Sequence, residues 1–504
     1  MSERKSLEED DDFDFEEGGL PKKNNKPILG ILTGAGFNIN QIIGAGIFQN
    51  PGVIWLLVQS PGIALILWII GGFMSLLGSL IYIELGLRTF PSGIGEQKYI
   101  EEAFPQIKNL GHIFSFVAIF AIIPGGVIAD SYTSAKYLLY AIQGDTYIYN
   151  QINKIILPIT AIIILGMIMT YHILSNKLSV NINQTLALLK LLSLLIISMV
   201  GLVKLSNSNN WNNIFNTNSP KLGDYANAMM KVLFAYWGWN NINYSIEELK
   251  SPKEKLKYSS IFSVIVSFIV YILTNAAFIT EVDYNNYTAN LTNTTNESPD
   301  MAIAIFFVGN NELGRRFMSL LIAISSFGSV GSMFFVYARI TEYAAATKFM
   351  PKRSNLFNYR NKRLGTPTNA YLAQFIYCSI LTGCFSIYGE NPFDFFSDSS
   401  QYLATVFQGV SGICLIVLKT RSNDVYDGFQ TPIFITIIYL IFIVFMTFAS
   451  FVAGTNISDD IAQRPSMHYI ISWIVTILGT IYWYSRNFIN FGYLNNTQAT
   501  DIQQ

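Results

Sequence analysis

The sequence QIIGAGIFQNPG, at residues 41–52, lies inside an otherwise apolar stretch at residues 28–57. It places three glycines, a proline and several amide side chains where a membrane helix usually carries apolar residues. Glycine and proline interrupt helices, and each backbone group left unpaired in lipid costs several kcal/mol. Such an interruption is tolerated where it lines a cavity and its amides and carbonyls bind a ligand. Close packing of helices through small residues is the alternative explanation.

A second interrupted stretch, FAYWGWNNINY at residues 234–244, lies at the centre of the apolar segment 224–249. Two interrupted helices, one in each half of the chain, are typical of a transporter built from a repeated half, with its site near the membrane midplane. The amino end of a half-helix offers free N–H groups to a carboxylate, and a carbonyl end attracts an ammonium. A zwitterionic α-amino acid satisfies both ends at once.

The rest of the chain is also strongly apolar. Of its 504 residues, 51% are hydrophobic and only 13% are charged, with a mean hydropathy of +0.36. This composition predicts an all-α integral membrane protein surrounded by the lipid bilayer, and the net charge of −1 gives no basic field for a nucleic-acid partner. Twelve stretches are long enough to cross about 30 Å of hydrocarbon at about 1.5 Å per residue. They are residues 28–57, 61–87, 111–141, 152–172, 181–204, 224–249, 257–280, 313–342, 369–388, 398–419, 431–454 and 467–491.

Polar segments lie at the ends of the chain and between the apolar stretches. Residues 1–27 form an acidic tail without a signal peptide, expected to be disordered, and residues 492–504 form a short second tail. Most of the 32 Lys and Arg residues fall in segments that are cytosolic if the amino terminus is inside, which predicts both termini in the cytosol. We expect the membrane to be the plasma membrane. The loop at 281–300 is then outside, and we expect glycosylation at its four sequons, Asn286, Asn290, Asn293 and Asn296.

The sequence offers little for catalysis. Its three histidines are isolated from one another, its three cysteines lie in apolar surroundings, and it contains neither a Gly-rich phosphate loop nor a His-Glu-x-x-His pattern. We therefore expect a protein that is not an enzyme and that holds no metal and no cofactor.

The two interrupted stretches resemble signature segments of the amino acid-polyamine-organocation permeases. Further segments, PSGIGE at 91–96, EELKSP at 247–252 and FGSVGS at 327–332, are similar to those of the L-type amino acid transporter branch and of its fungal, methionine permease-like relatives. The resemblance covers roughly residues 30–490. It implies twelve helices, of which the first ten form two inverted repeats of five, here residues 28–204 and 224–419, followed by two further helices in 431–491.

The resemblance also implies a substrate site between the two interrupted helices. The amides of Ala45 and Gly46 would bind the substrate carboxylate, and backbone carbonyls on both helices would face its ammonium. L-type members often have Ser at the position of Ala45 and Gly at the position of Trp237. The indole of Trp237 would therefore either narrow the pocket or point outward. The expected substrate-binding residues are Ile42, Ile43, Gly44, Ala45, Gly46, Ile47, Phe234, Ala235, Trp237 and Asn240, with Ile42, Phe234 and Trp237 supplying the carbonyls, Phe234 the aromatic gate and Asn240 a brace.

Lys190 and Asp130 lie well inside apolar stretches, where a charge costs roughly 2.5–3.5 kcal/mol on insertion scales and so marks a functional site. Lys190 matches a lysine that takes the place of a coupling sodium in relatives, so the resemblance implies sodium-independent transport. Snorkelling, or a fixed charge pairing with carbonyls of the first helix, are the alternatives. Asp130 would bind a proton or recognise a cationic side chain, or would instead pair with Lys136 or another helix.

We therefore expect a permease for neutral, apolar L-amino acids such as methionine or leucine, working by alternating access as a proton symporter or an exchanger. Transport of cationic amino acids or polyamines is one alternative, and a non-transporting amino acid sensor with the same fold is another. Mammalian L-type members pair with a heavy chain through a cysteine between the third and fourth helices. Residues 143–153 contain no cysteine, so we expect no disulfide-linked heavy chain.

Overall fold

The computed structural model describes residues 29–144, 153–217, 220–284, 312–350, 354–361, 363–388, 392–421, 426–452 and 465–489. The acidic tail, the four sequons, the second tail and most of residues 143–153 lie outside these ranges. The described chain is helical apart from its connections and one isolated β-bridge. Its helices are α1 (Ile31–Ile42), α2 (Gly46–Val58), α3 (Pro61–Thr89), α4 (Gly95–Ala103), α5 (His112–Gln143), α6 (Asn153–Leu174), α7 (Asn176–Lys204), α8 (Leu222–Ala235), α9 (Pro252–Glu281), α10 (Glu312–Ala346), α11 (Ser354–Phe357), α12 (Thr368–Tyr388), α13 (Pro392–Arg421), α14 (Ile433–Ala449) and α15 (Pro465–Tyr484).

Several of these helices are suited to cross a membrane. Seven of those described, α3, α5, α6, α7, α9, α10 and α13, are long and apolar enough to do so, and α1 with α2 makes an eighth span if the bent pair counts as one. A helical, multi-pass membrane protein is therefore confirmed. The remaining predicted spans coincide with α8 and the turn after it, α12, α14 and α15, but the count of twelve stays a prediction.

Some helix boundaries differ from the predicted ones. Helix α7 begins at Asn176 rather than at residue 181, because the Ser175 side chain accepts a hydrogen bond from the Leu178 amide and caps the helix. Helix α13 begins at Pro392 rather than at residue 398, and proline fits the first turn of a helix because its missing N–H has no partner there. The short helix α4 was not predicted, since its composition is polar.

Both predicted helix interruptions are confirmed. Helices α1 and α2 meet at residues 43–45 with a bend of 42°. Helix α8 ends at Ala235, and after a turn the chain continues as a 3-10 helix, Asn241–Glu248. Gly238 in that turn has φ +116°, a conformation that glycine tolerates best, and its Cα faces the Gln41 side chain. The two interruptions therefore lie next to each other.

The two interrupted elements are also joined at one end. The Leu29 amide donates to the Glu248 carbonyl at 2.8 Å, and the Lys250 amide donates to the Leu29 carbonyl at 2.9 Å. This bridge links the residue before α1 to the end of the 3-10 helix. Around this pair, α10 packs along α5, and α9 packs on α3 and α7.

Helices α7 and α9 cross closely at a glycine. A Cβ added to Gly201 would lie 2.3 Å from Ala277 Cβ and 2.4 Å from Ala277 Cα. The small residues let the two backbones approach, as is common between membrane helices. By contrast, a Cβ added to Gly383 on α12 would meet no atom within 4 Å.

We expect Gly201→Ala to lower the thermal unfolding midpoint of the detergent-purified protein. The added methyl forces α7 from α9, which costs about 1–3 kcal/mol for an overpacked site. Gly383→Ala is the matched control, and its midpoint should stay equal or rise, because alanine favours a helix by about 1 kcal/mol over glycine. Equal midpoints for the two variants would show that the crossing at Gly201 is not tight.

Candidate functional site

The two helix interruptions touch each other directly. A Cβ added to Gly46 would lie 2.6 Å from Ala235 Cα, so only glycine permits this approach. The Tyr271 hydroxyl, on α9, contacts the Ile42 carbonyl at 2.6 Å and the Ala235 carbonyl at 3.0 Å. One buried side chain therefore ties both broken ends together, which fixes the geometry of the space between them.

The amino end of α2 presents free amides to this space. The N–H groups of Ala45, Gly46 and Ile47 have no backbone acceptor in the described structure, whereas the next two amides, at residues 48 and 49, donate to the Ala45 carbonyl. The unpaired amides and the helix dipole together favour an anion at this position.

A small cavity of about 190 Å³ lies against these amides. Its lining residues are buried, and it contains most of the residues predicted for the site. Among the predicted residues, Ile43, Ile47 and Ala235 shape the breaks without lining this cavity, and Asn240 lines a second, larger one. The small cavity is lined by Gln41, Ile42, Gly44, Ala45, Gly46, Asp130, Phe234, Trp237, Ser329 and Met333.

The three carbonyls expected to face an ammonium differ in availability. The Ile42 carbonyl already accepts from the Gly44 amide at 2.8 Å and from Tyr271. The Phe234 carbonyl accepts from the Trp237 amide at 3.0 Å. The Trp237 carbonyl has no donor among the described residues, so it is the acceptor most available to a ligand.

Trp237 lines both the small cavity and a larger one. Its indole packs on Gly126, where an added Cβ would lie 2.3 Å from the ring. Trp237 is buried, at 7% exposed, and its effect on the size of the pocket stays a prediction. The larger cavity is lined by Trp237, Asn240 and the following residues: Gln41, Glu96, Phe114, Ala118, Ile122, Ile123, Asn241, Tyr244, Met333, Val336, Ile340, Ala404, Phe407 and Gln408.

One acid lines the larger cavity. Glu96 belongs to the short helix α4, and its carboxylate accepts hydrogen bonds from the hydroxyls of Tyr82 at 2.9 Å and Tyr244 at 2.6 Å. Burial raises the pKa of the Glu96 carboxyl, and it outweighs the hydrogen bonds from the two hydroxyls, which lower this pKa. Asn240 donates to the same Tyr244 hydroxyl at 3.3 Å, so it braces the turn after α8 through this tyrosine.

Lys190 is buried beside the end of α1. Its side chain is 2% exposed, and Nζ donates to the Asn40 carbonyl at 2.5 Å. The Asn40 side chain donates to Asn183 Oδ1 at 2.6 Å and to the Gly328 carbonyl at 2.8 Å. The ammonium therefore does not reach the membrane surface, and it joins α1 to α7 and α10.

Asp130 lies at the free amides of α2. It is 1% exposed, and a Cβ added to Gly44 would lie 2.9 Å from Asp130 Oδ2 and 2.9 Å from the Ser329 hydroxyl. The carboxylate also faces the Ala45 amide, and Oδ1 has no hydrogen-bond partner. Among the described residues no cation is within ion-pairing distance of it, although Lys190 is near enough for its charge to act on it.

Ion pairs close the helix bundle on both sides of the site. On the side that holds Leu29, Arg339 pairs with Glu248 at 3.3 Å. On the opposite side, Lys231 of α8 contacts Asp394 at 3.0 Å and Asp398 at 3.3 Å, both on α13.

Several residues of the site were not predicted from the sequence. Ser325 donates to the Ile43 carbonyl at 3.0 Å and Ser329 to the Gln41 carbonyl at 3.2 Å, so both support the break in α1–α2. Their spacing of one helical turn on α10 was a usable signal, because it puts two hydroxyls on one face. Tyr271 and Met333 are single residues in apolar helices, and the sequence around them carries no such signal.

Comparisons with known proteins identify the family of the chain. Residues 29–481 match a family model described as "Amino acid permease". The chain is 25% identical to b(0,+)-type amino acid transporter 1 of Mus musculus over 471 residues, 92% of this chain and 89% of that protein. It is 26% identical to Large neutral amino acids transporter small subunit 2 of Homo sapiens over 430 residues, 84% and 75% of the two chains. It is also 26% identical to Asc-type amino acid transporter 1 of Mus musculus over 440 residues, 85% and 77% of the two chains. These relatives are named as transporters, not as enzymes.

We expect Tyr271→Phe to weaken ligand binding at the small cavity at least about fivefold, because losing a buried hydrogen bond costs about 1–3 kcal/mol and frees both broken ends. The measurement is the dissociation constant of a neutral amino acid for the purified protein. Tyr377→Phe is the matched control, since it removes one hydroxyl contact, to the Phe120 carbonyl at 2.9 Å, outside the site. Equal dissociation constants for both variants would show that Tyr271 does not shape the site.

Proposed function

We propose a transport function on the premise that the chain belongs to the amino acid permease family, in the L-type branch of the amino acid-polyamine-organocation superfamily. Its substrate is an amino acid, and the protein moves it across the membrane without chemical change. The observation that carries this proposal is the buried cavity at two touching helix breaks, which is lined by Ala45 and Gly46, whose amides have no backbone acceptor, and by Trp237, whose carbonyl has no donor among the described residues. The similarity to fungal members stays a prediction.

The preferred substrate is a neutral, apolar L-amino acid of the methionine or leucine type. Its carboxylate binds the amides of Ala45 and Gly46, and its ammonium binds the Trp237 carbonyl. The apolar side chain contacts Phe234 and Met333, which line the small cavity. A cationic amino acid or polyamine remains the second candidate, because the buried Asp130 carboxylate faces the same cavity.

Transport proceeds by alternating access. The Lys231 pairs with Asp394 and Asp398 and the Arg339 pair with Glu248 act as gates that break in turn. The Lys190 side chain takes the place of a coupling sodium at the end of α1, so no sodium is needed there. Either a proton moves with the substrate, with Asp130 or Lys190 as its carrier, or one amino acid exchanges for another.

The protein resides in the plasma membrane with both termini in the cytosol, so the side that holds Leu29 is the inner side. It functions without a disulfide-linked heavy chain. Its three cysteines support this proposal, because all lie within helices: Cys378 and Cys384 on α12 and Cys414 on α13. The proposed architecture has twelve spans. The first ten form two inverted repeats of five, residues 28–204 and 224–419, and two more helices follow in 431–491.

We expect the purified protein in sodium-free liposomes to take up radiolabelled leucine or methionine, driven by an inward proton gradient or by internal amino acid. Lys190→Ala should lower the initial rate at least about tenfold, because α1 loses its bond to α7. Lys204→Ala is the matched control, since Lys204 is exposed and pairs with Glu281 away from the site. Its rate should equal that of the wild type.

The outcomes separate the candidate functions. Uptake that requires internal amino acid identifies an exchanger, and uptake driven by the proton gradient alone identifies a symporter. Uptake of lysine or a polyamine but not of leucine identifies the second candidate. Binding of leucine without any flux would instead identify a sensor and contradict the proposal.

A further inference from the structure

The Asp130 carboxylate occupies the position where the substrate carboxylate is proposed to bind. It faces the Ala45 amide, lies against Gly44 and borders the small cavity. In the described structure, the amides of the first turn of α2 have no backbone acceptor, so the Asp130 carboxylate is the anion nearest to them. A negative charge at the amino end of a helix is stabilised by the unpaired amides.

A substrate carboxylate at this amide would meet a second carboxylate in a buried site. Two like charges a few ångströms apart repel strongly where water is excluded, and the site cannot hold both in the ionised state at low cost. A ligand with an ammonium but no carboxylate avoids this repulsion. Its N–H groups would also satisfy Asp130 Oδ1, which has no partner.

We propose that Asp130 is an internal competitor for the substrate carboxylate, and that the site consequently also binds primary amines that lack a carboxylate. This inference rests on the proposed amino acid site and names the residue that sets its selectivity. With Asp130 ionised, its charge replaces that of a substrate carboxylate, and an amine fills the rest of the cavity. An amino acid binds only when the Asp130 carboxylate leaves the Ala45 amide or is neutralised.

Removal of the Asp130 charge should affect the two ligand classes in opposite directions. Asparagine keeps the size of the side chain and its oxygen acceptor for the Ala45 amide, but it carries no charge. The positive charge of Lys190 then remains without its nearby counter-charge. The site consequently gains attraction for a carboxylate and loses attraction for a lone ammonium.

The test compares L-leucine with isoamylamine, which is leucine without its carboxylate, by their dissociation constants for the full-length purified protein. Asp130→Asn should tighten leucine binding about tenfold or more and weaken isoamylamine binding about tenfold or more. Glu281→Gln is the matched control, because it removes a carboxylate that pairs with Lys204 outside the small cavity. It should change the two constants by the same factor.

A second variant keeps the test valid if Asp130→Asn does not fold. Ala45 has φ −66°, which proline adopts without strain, and Ala45→Pro deletes the amide for which both carboxylates compete. Leucine should then lose affinity by a larger factor than isoamylamine.

The results that would contradict the role of Asp130 differ from those that would contradict the proposed amino acid site. If the wild type binds leucine but not isoamylamine, or if Asp130→Asn shifts both constants in the same direction, the competitor role of Asp130 is wrong while the amino acid site stands. If wild type and variants bind neither ligand, the amino acid site itself is wrong, and the inference falls with it.

Discussion

Backbone groups at a helix break inside a membrane have no water to bind, so the protein must supply partners for them. Most of the polar side chains near the two breaks serve this purpose. The Asn38 side chain donates to the Trp239 carbonyl at 2.7 Å and accepts from the Ile242 amide at 3.0 Å. The Asn50 side chain donates to the Lys231 carbonyl at 2.7 Å. Among the described groups that keep no backbone partner are the first amides of α2 and the Trp237 carbonyl, and these are the groups to which we propose that a ligand binds.

Because side chains supply the hydrogen-bond partners of the backbone at the breaks, the breaks are suited to conformational change. Lys190 and Asn40 connect the end of α1 to α7 and α10 through hydrogen bonds between side chains and carbonyls, which can rearrange more easily than close apolar packing. Tyr271 holds the two breaks to each other, so they would move as a unit. The gates lie beyond this unit on either side, and each depends on few ionic contacts. A ligand that binds both breaks can therefore influence both gates.

The sequence was sufficient to predict the two breaks, because glycine, proline and asparagine in an apolar stretch are local signals that need no knowledge of the fold. It also predicted that Ala45, Gly46, Phe234 and Trp237 share one site. It did not reveal that Tyr271 already binds the Ile42 carbonyl, since that depends on where α9 crosses the breaks. For Asp130 the sequence shows a charge in an apolar stretch, whereas the amide that it faces depends on how α5 packs on α10 beside the break between α1 and α2.

The most direct measurement is an experimental structure of the protein with leucine bound. Our account predicts that the leucine carboxylate lies on the amides of Ala45 and Gly46, that its ammonium faces the Trp237 carbonyl, and that the Asp130 carboxylate has moved from the Ala45 amide. Leucine bound in the larger cavity beside Glu96, with Asp130 still at the Ala45 amide, would contradict it.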